Sequence, residues 1–184
     1  MTDRPVRLVI VDRDGVINED SDDYIKSPHE WRAIPGSVEA IGDLYRAGFE
    51  IVVVTNQSGL ARGFFSEDAL RGIHARMTEA VRDAGGEFAG IYYCPHLPSD
   101  DCDCRKPRPG LVRQLERDLN VSAIGAPFIG DKVSDVDLAA AVGGRPLLVR
   151  TGRGREAERA LAGRAIETFA DLRAAANALL AAAK

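Results

Sequence analysis

The chain is poor in residues that staple, anchor or stack. Its 184 residues include three cysteines, two methionines and one tryptophan, and aromatic residues make up 6%. Cys94, Cys102 and Cys104 all fall in one short window. Three clustered thiols do not make a disulfide framework and favour a bound metal instead. No apolar run approaches the roughly 20 residues of a membrane span. The start, Met1-Thr2-Asp3-Arg4-Pro5, lacks the layout of a signal peptide. These absences lead us to expect a soluble, cytoplasmic protein with no membrane partner. An excess of positive charge is also missing: 24 Lys and Arg stand against 28 Asp and Glu, for a net charge of −4. A nucleic-acid partner, whose footprint is basic, is therefore not expected. With no internal repeat and no linker-like stretch, residues 1–184 are expected to form a single domain, as a monomer. That length is enough to bury roughly 70% of the unfolded surface.

What the chain does have is alternation. Val6 to Val11 is apolar apart from Arg7 and reads as a buried parallel strand. Ser37 is placed to cap a helix ending near Arg46, and Ile51-Val52-Val53-Val54 is a β-branched second strand. Ser66 and Asp68 open a helix that ends before Gly85-Gly86; Ala89 to Tyr93 is the third strand. A helix follows Pro109-Gly110 to about Leu119, then a strand at Pro127 to Ile129, a helix over Asp135 to Val142 and a strand over Pro146 to Arg150. Phe169 to Ala183, rich in alanine, reads as a packed outer helix. Alternating strands and helices predict an α/β fold built on a doubly wound, Rossmann-type parallel sheet.

Polar residues collect where the strands end, the edge at which open α/β sheets hold ligands. The first strand delivers Asp12 and Asp14, with Gly15 to turn the chain; the second delivers Thr55-Asn56-Gln57-Ser58. Arg105-Lys106-Pro107-Arg108 precedes the third helix, and the fourth strand ends in Asp131, Lys132 and Asp135. Singly, each is an ordinary charged or polar loop, and Asp135 could be only the first-turn acid of its helix. In this order they suit phosphoryl transfer: a carboxylate nucleophile, carboxylates for a hard cation such as Mg²⁺, and a Lys and a hydroxyl for the equatorial oxygens. Cys94, His96, Cys102 and Cys104 offer three thiolates and an imidazole, a full tetrahedral set for structural Zn²⁺, although free thiols beside a surface His would share the pattern. The intervals between motifs leave no room for a separate cap domain. A phosphoacceptor receiver module uses similar residue types, but its acceptor ends a middle strand rather than the first.

From Val6 to about Thr151 these motifs resemble the haloacid dehalogenase-like (HAD) phosphatases. That resemblance implies that Asp12 attacks phosphorus, that Asp14 is the general acid and base, and that Thr55 and Lys106 stabilise the transferring group. It also implies Mg²⁺ on the Asp12 carboxylate, the Asp14 carbonyl and Asp131, with Asp135 beside the ion or just behind its ligands. Asp12-Arg13-Asp14-Gly15-Val16-Ile17-Asn18, Thr55 to Gly63, Tyr92-Tyr93-Cys94-Pro95-His96 and Cys102 to Gly110 are similar to the branch that removes the 7-phosphate of D-glycero-D-manno-heptose 1,7-bisphosphate for lipopolysaccharide synthesis. The zinc loop is short, as in the sister histidinol-phosphate phosphatases, whereas Ser58 to Gly63 favours the heptose branch. The resemblance implies a sugar bisphosphate partner, with Asp20, Ser21, Asp22, Asp23, Asn56, Gln57, Ser58, Arg62, Arg105 and Lys132 as candidate substrate contacts.

Overall fold

The computed structural model describes residues 7–183. Val6 and the Met1–Pro5 leader reading lie outside the described residues. Six parallel strands form one sheet in the order β3-β2-β1-β4-β5-β6: β1 (Arg7–Val11), β2 (Phe49–Asn56), β3 (Phe88–Cys94), β4 (Pro127–Gly130), β5 (Arg145–Val149) and β6 (Glu167–Phe169). The helices are α1 (Ser37–Arg46), α2 (Glu67–Asp83), α3 (Gly110–Leu119), α4 (Val133–Ala141), α5 (Gly154–Ala160) and α6 (Leu172–Ala182). The strand order reverses between β1 and β4, so the crevice outside their carboxyl ends is the place such sheets keep for ligands.

Alternation along the strands sorts the core into two halves. Val9, Val11, Ile51 and Val53 pack with Ile41, Leu44, Met77, Leu172 and Leu179, on the side of α1, α2 and α6. Leu8, Ile10, Val52 and Val54 pack with Leu111, Leu115 and Leu138, on the side of α3 and α4. Even numbering along β1 thus points toward α3 and α4, and Asp12 continues that series just past the strand. The α3 and α4 side is the one that brings Lys106 and Asp135.

Three local expectations need correction. Ser37 does not cap α1: Gly36 occupies the N-cap, and the Ser37 hydroxyl donates to the Ile17 carbonyl at 2.6 Å. A buried acceptor across the loop wins over local capping. The alanine-rich helix starts at Leu172, capped by Asp171, because Phe169 ends β6. Both β6, three residues long, and the charged α5 have no counterpart among the expected elements.

Candidate active site

The carboxyl ends of β1, β2 and β4 meet over a cleft of about 390 Å³. Beneath it lies a buried cluster: one carboxylate oxygen from each of Asp12, Asp131 and Asp135 falls within 4.8 Å of the others. Lys106, also buried, reaches Asp12 Oδ1 at 2.9 Å and Asp135 Oδ1 at 2.7 Å, and donates to the Val54 carbonyl at 2.8 Å. Lys132 Nζ lies 3.0 Å from Asp131, 3.4 Å from Asp20 and 3.8 Å from Asp12 Oδ2, and donates to the Asp14 carbonyl at 3.2 Å. Asp12 Oδ1 also accepts the Arg13 N–H at 2.7 Å. Oδ1 is therefore occupied, whereas Oδ2 has only the more distant Lys132 ammonium beside it and is the oxygen available for chemistry.

Three carboxylates against two ammonium groups leave this floor short of positive charge. Burial pushes Asp131 up to about 7, helped by Asp12 and Asp135 and opposed by Lys132. Burial also raises Asp135, with Asp12 acting in the same direction and Lys106 against it. Burial alone would lower Lys106, but Asp12 and Asp135 outweigh it and keep the amine charged. A hard dication with oxygen ligands fits this deficit. Gly15 and Gly152 close the cradle: both have positive φ, and a Cβ on either would collide with the Asp131 carboxylate. Asp135 Oδ2 accepts the Lys132 N–H at the start of α4, the first-turn position expected of it, while its Oδ1 faces Lys106.

Asp14 sits apart from that cluster, on the wall of the cleft. The chain bends directly after β1, so Asp14 is placed by the turn rather than by strand alternation. Its carboxylate receives Arg13 Nε at 3.0 Å and Arg13 Nη2 at 2.9 Å, Asn18 Nδ2 at 2.9 Å and Gln57 Nε2 at 2.8 Å. Burial opposes ionisation here, but the Arg13 charge and these hydrogen bonds prevail and hold Asp14 below the usual carboxylate range. The free site thus presents a base. Gln57 Nε2 also donates to Thr55 Oγ1 at 2.9 Å, so the Thr55 hydroxyl keeps its own hydrogen for another acceptor.

The second donor set lies where β3 runs into the loop before α3. His96 Nδ1 is 3.2 Å from Cys104 Sγ and 3.6 Å from Cys94 Sγ; the sulfurs stand 3.3 to 3.6 Å from one another. A disulfide would need about 2.05 Å, whereas a tetrahedron with metal–sulfur bonds of about 2.3 Å has edges near 3.8 Å. Burial pushes the Cys94 thiol up to about 12, and a bound cation would reverse that. The cluster can hold a metal. The loop it closes delivers Arg105 and Lys106, and Asn56 fixes their backbone by accepting the Lys106 N–H at 3.0 Å and donating to the Lys106 carbonyl at 3.3 Å.

Of the candidate substrate contacts, Asp20, Ser21, Asp22, Asn56, Gln57, Ser58, Arg105 and Lys132 line the cleft, whereas Asp23 and Arg62 do not. Arg108, the third cation of the loop before α3, is spent on the Asp101 side chain and the Asp101 and Cys102 carbonyls. Arg153 was not singled out from the sequence: it lines the cleft, pairs with Asp22 at 2.5 Å and lies 3.6 Å from Asp20. In Arg150-Thr151-Gly152-Arg153 it reads as a basic surface turn, and only the position of that turn over Asp131 could have flagged it.

A parallel sheet with this strand order, acids ending β1 and β4 and a buried lysine between them, defines an HAD-like hydrolase. The sequence pattern of the HAD-hydrolase-like family matches residues 103–175. The D-glycero-beta-D-manno-heptose-1,7-bisphosphate 7-phosphatase of Pseudomonas aeruginosa is 49% identical over 173 residues, covering 94% of this chain and 97% of that protein. The protein of the same name from Pseudomonas putida is 48% identical over 178 residues, covering 95% and 100%. The crystal structure of D,D-heptose 1,7-bisphosphate phosphatase from B. bronchiseptica, complexed with magnesium and phosphate, superposes with a TM-score of 0.92 at 45% identity, covering 96% of this chain and 99% of that one. The chain belongs to the D-glycero-beta-D-manno-heptose-1,7-bisphosphate 7-phosphatase family.

Proposed function

We propose that this protein is a Mg²⁺-dependent phosphatase that removes the 7-phosphate of D-glycero-β-D-manno-heptose 1,7-bisphosphate, leaving heptose 1-phosphate for nucleotide-activated heptose and lipopolysaccharide synthesis. The observation that carries this reading is the near-full-length identity to relatives of that name, joined to the convergence of Asp12, Asp14, Lys106 and Asp131 at one sheet edge. In this reading the protein acts in the cytoplasm as a single-domain monomer.

Asp12 Oδ2 attacks phosphorus while the bond from phosphorus to the sugar O7 breaks. Asp14 protonates that departing oxygen. Because Asp14 is ionised in the free site, it takes up a proton from solvent as the substrate's phosphate charge arrives beside it, and that proton goes to the departing sugar oxygen. It then accepts a proton from the water that attacks phosphorus and cleaves the aspartyl phosphate. Lys106 and the Thr55 hydroxyl hold the equatorial oxygens. Asp12, Asp131 and the Asp14 carbonyl would hold Mg²⁺, which when bound neutralises phosphate charge. Cys94, His96, Cys102 and Cys104 would hold Zn²⁺ and fix the approach to Arg105, the cation proposed to meet the phosphate that stays on the sugar.

A phosphate-release screen tests the reading, with both heptose bisphosphate anomers, fructose 1,6-bisphosphate and histidinol phosphate as substrates. Preference for the β anomer supports it; preference for histidinol phosphate overturns it while leaving the mechanism in place.

A further inference from the structure

Arg13 stands between the two acids of the first motif and borders the cleft; its backbone N–H serves Asp12, but its side chain turns away from the floor cluster and is almost wholly shielded from solvent. Its side chain is 1% exposed, among the most buried large side chains of the protein. An arginine is seldom buried unless every N–H finds an acceptor. Two of its nitrogens grip Asp14 as a fork, and the third, Nη1, lies 3.3 Å from His74 Nε2. A guanidinium only donates. His74 must therefore accept at Nε2 and carry its proton on Nδ1. Burial and the Arg13 charge push His74 down to about 4, against a smaller pull from Asp14, consistent with a neutral ring. The ring is braced edge-on by Tyr93 of β3, with centroids 5.7 Å apart.

We infer that His74 is a positioning residue: by holding Arg13 Nη1 it fixes the fork that aims the Asp14 carboxylate across the cleft. Asn18 and Gln57 approach the same carboxylate from their own sides, but neither fixes the plane of the group as a two-point guanidinium contact does. With the His74 acceptor removed, Nη1 is left buried without that partner and the guanidinium turns in search of another. Asp14 then loses the alignment that general acid catalysis requires. Asp12, gripped by Lys106 and the Arg13 backbone N–H, is unaffected. His74 lies on α2, outside the cleft lining, so it acts through Arg13 and not on the substrate.

This inference rests on the phosphatase reading, and leaving-group dependence separates the two. The ratio kcat/KM covers the steps up to departure of the leaving group. A sugar oxygen needs a proton in order to leave, whereas p-nitrophenolate does not. His74→Leu, which keeps bulk and helix propensity but removes the acceptor, is expected to lower kcat/KM about 10-fold on the heptose bisphosphate. On p-nitrophenyl phosphate it should change by less than about 2-fold. His74→Gln, whose side-chain oxygen can accept from Nη1, should recover most of the loss. Equal losses on both substrates would mean that His74 serves only the fold and would overturn the inference, as would no loss on either. If the unmodified protein hydrolyses neither substrate, the phosphatase reading itself has failed.

Discussion

Asp131→Asn should stabilise the ion-free protein at neutral pH even as it removes a proposed metal ligand. The folded structure holds Asp131 at about 7 against an ordinary 3.8, with burial as the leading cause. A carboxyl raised in this way favours folding while protonated. Its contribution is complete below about pH 4 and is lost as pH rises through the folded value. Linkage over that window gives a penalty on the order of 4 kcal/mol at pH 8 and on the order of 1–2 kcal/mol at pH 5. Asparagine never ionises, so the melting-temperature difference between variant and parent should grow by about 5–10 °C between those two pH values, at 2–4 °C per kcal/mol for a chain of this size. The measurement is a pair of thermal melts at each pH, on protein dialysed against metal-free buffer. No chelator is added, because one would also strip the cysteine cluster. Saturating Mg²⁺ should raise the parent's melting temperature more at pH 8 than at pH 5 and leave the variant nearly unmoved. A difference independent of pH, or a variant less stable than its parent at pH 8, would refute the charge-deficit argument.

Asp12→Asn should abolish turnover, since an amide cannot form the phosphoenzyme, whereas Asp14→Asn should still accumulate phosphoenzyme slowly; acid-quench labelling distinguishes them, and near-normal kcat in Asp12→Asn would remove the nucleophile assignment. About one zinc per chain should accompany protein purified without chelator, and elemental analysis reporting none in fully active protein would refute the structural-site assignment. Arg105→Ala should cost about 10- to 150-fold in kcat/KM on the bisphosphate, the worth of a charge-assisted hydrogen bond, and little on an aryl phosphate; equal losses would assign Arg105 to the transferring group or the fold.

The floor of the site is legible in the chain because β1 beyond Arg7 and β4 are short apolar runs, and the acids that follow them fall at the sheet edge. Lys106 was visible for a different reason: it follows the cysteine window and precedes a helix. The wall of the site is less legible. His74 occupies an ordinary position on an amphipathic helix between the core residues Ile73 and Met77, and nothing local says that Arg13 will reach it. The pairing of Arg153 with Asp22 spans 131 positions of sequence and follows from the β5–α5 turn packing on the loop after β1, where the Thr151 hydroxyl donates to the Gly15 carbonyl. Arg62 sits in a stretch full of family signal and is exposed, outside the cleft lining. The edge strand β6 escaped for want of length, its three residues carrying no periodicity that can be told from a loop.

The alternation of β1 has a consequence for insertions and deletions. Leu8 and Ile10 face one half of the core, Val9 and Val11 the other, and Asp12 takes its direction from the same count. One residue gained or lost between Leu8 and Asp12 would exchange the two faces and swing the nucleophile away from Lys106 toward α1 and α2. Folding and chemistry share a single reading frame along this strand. Variation in length should therefore be purged there more severely than exchange of one apolar strand residue for another. It should be tolerated instead between Pro98 and Asp101, where the chain is exposed and both flanks are pinned by the cysteine cluster.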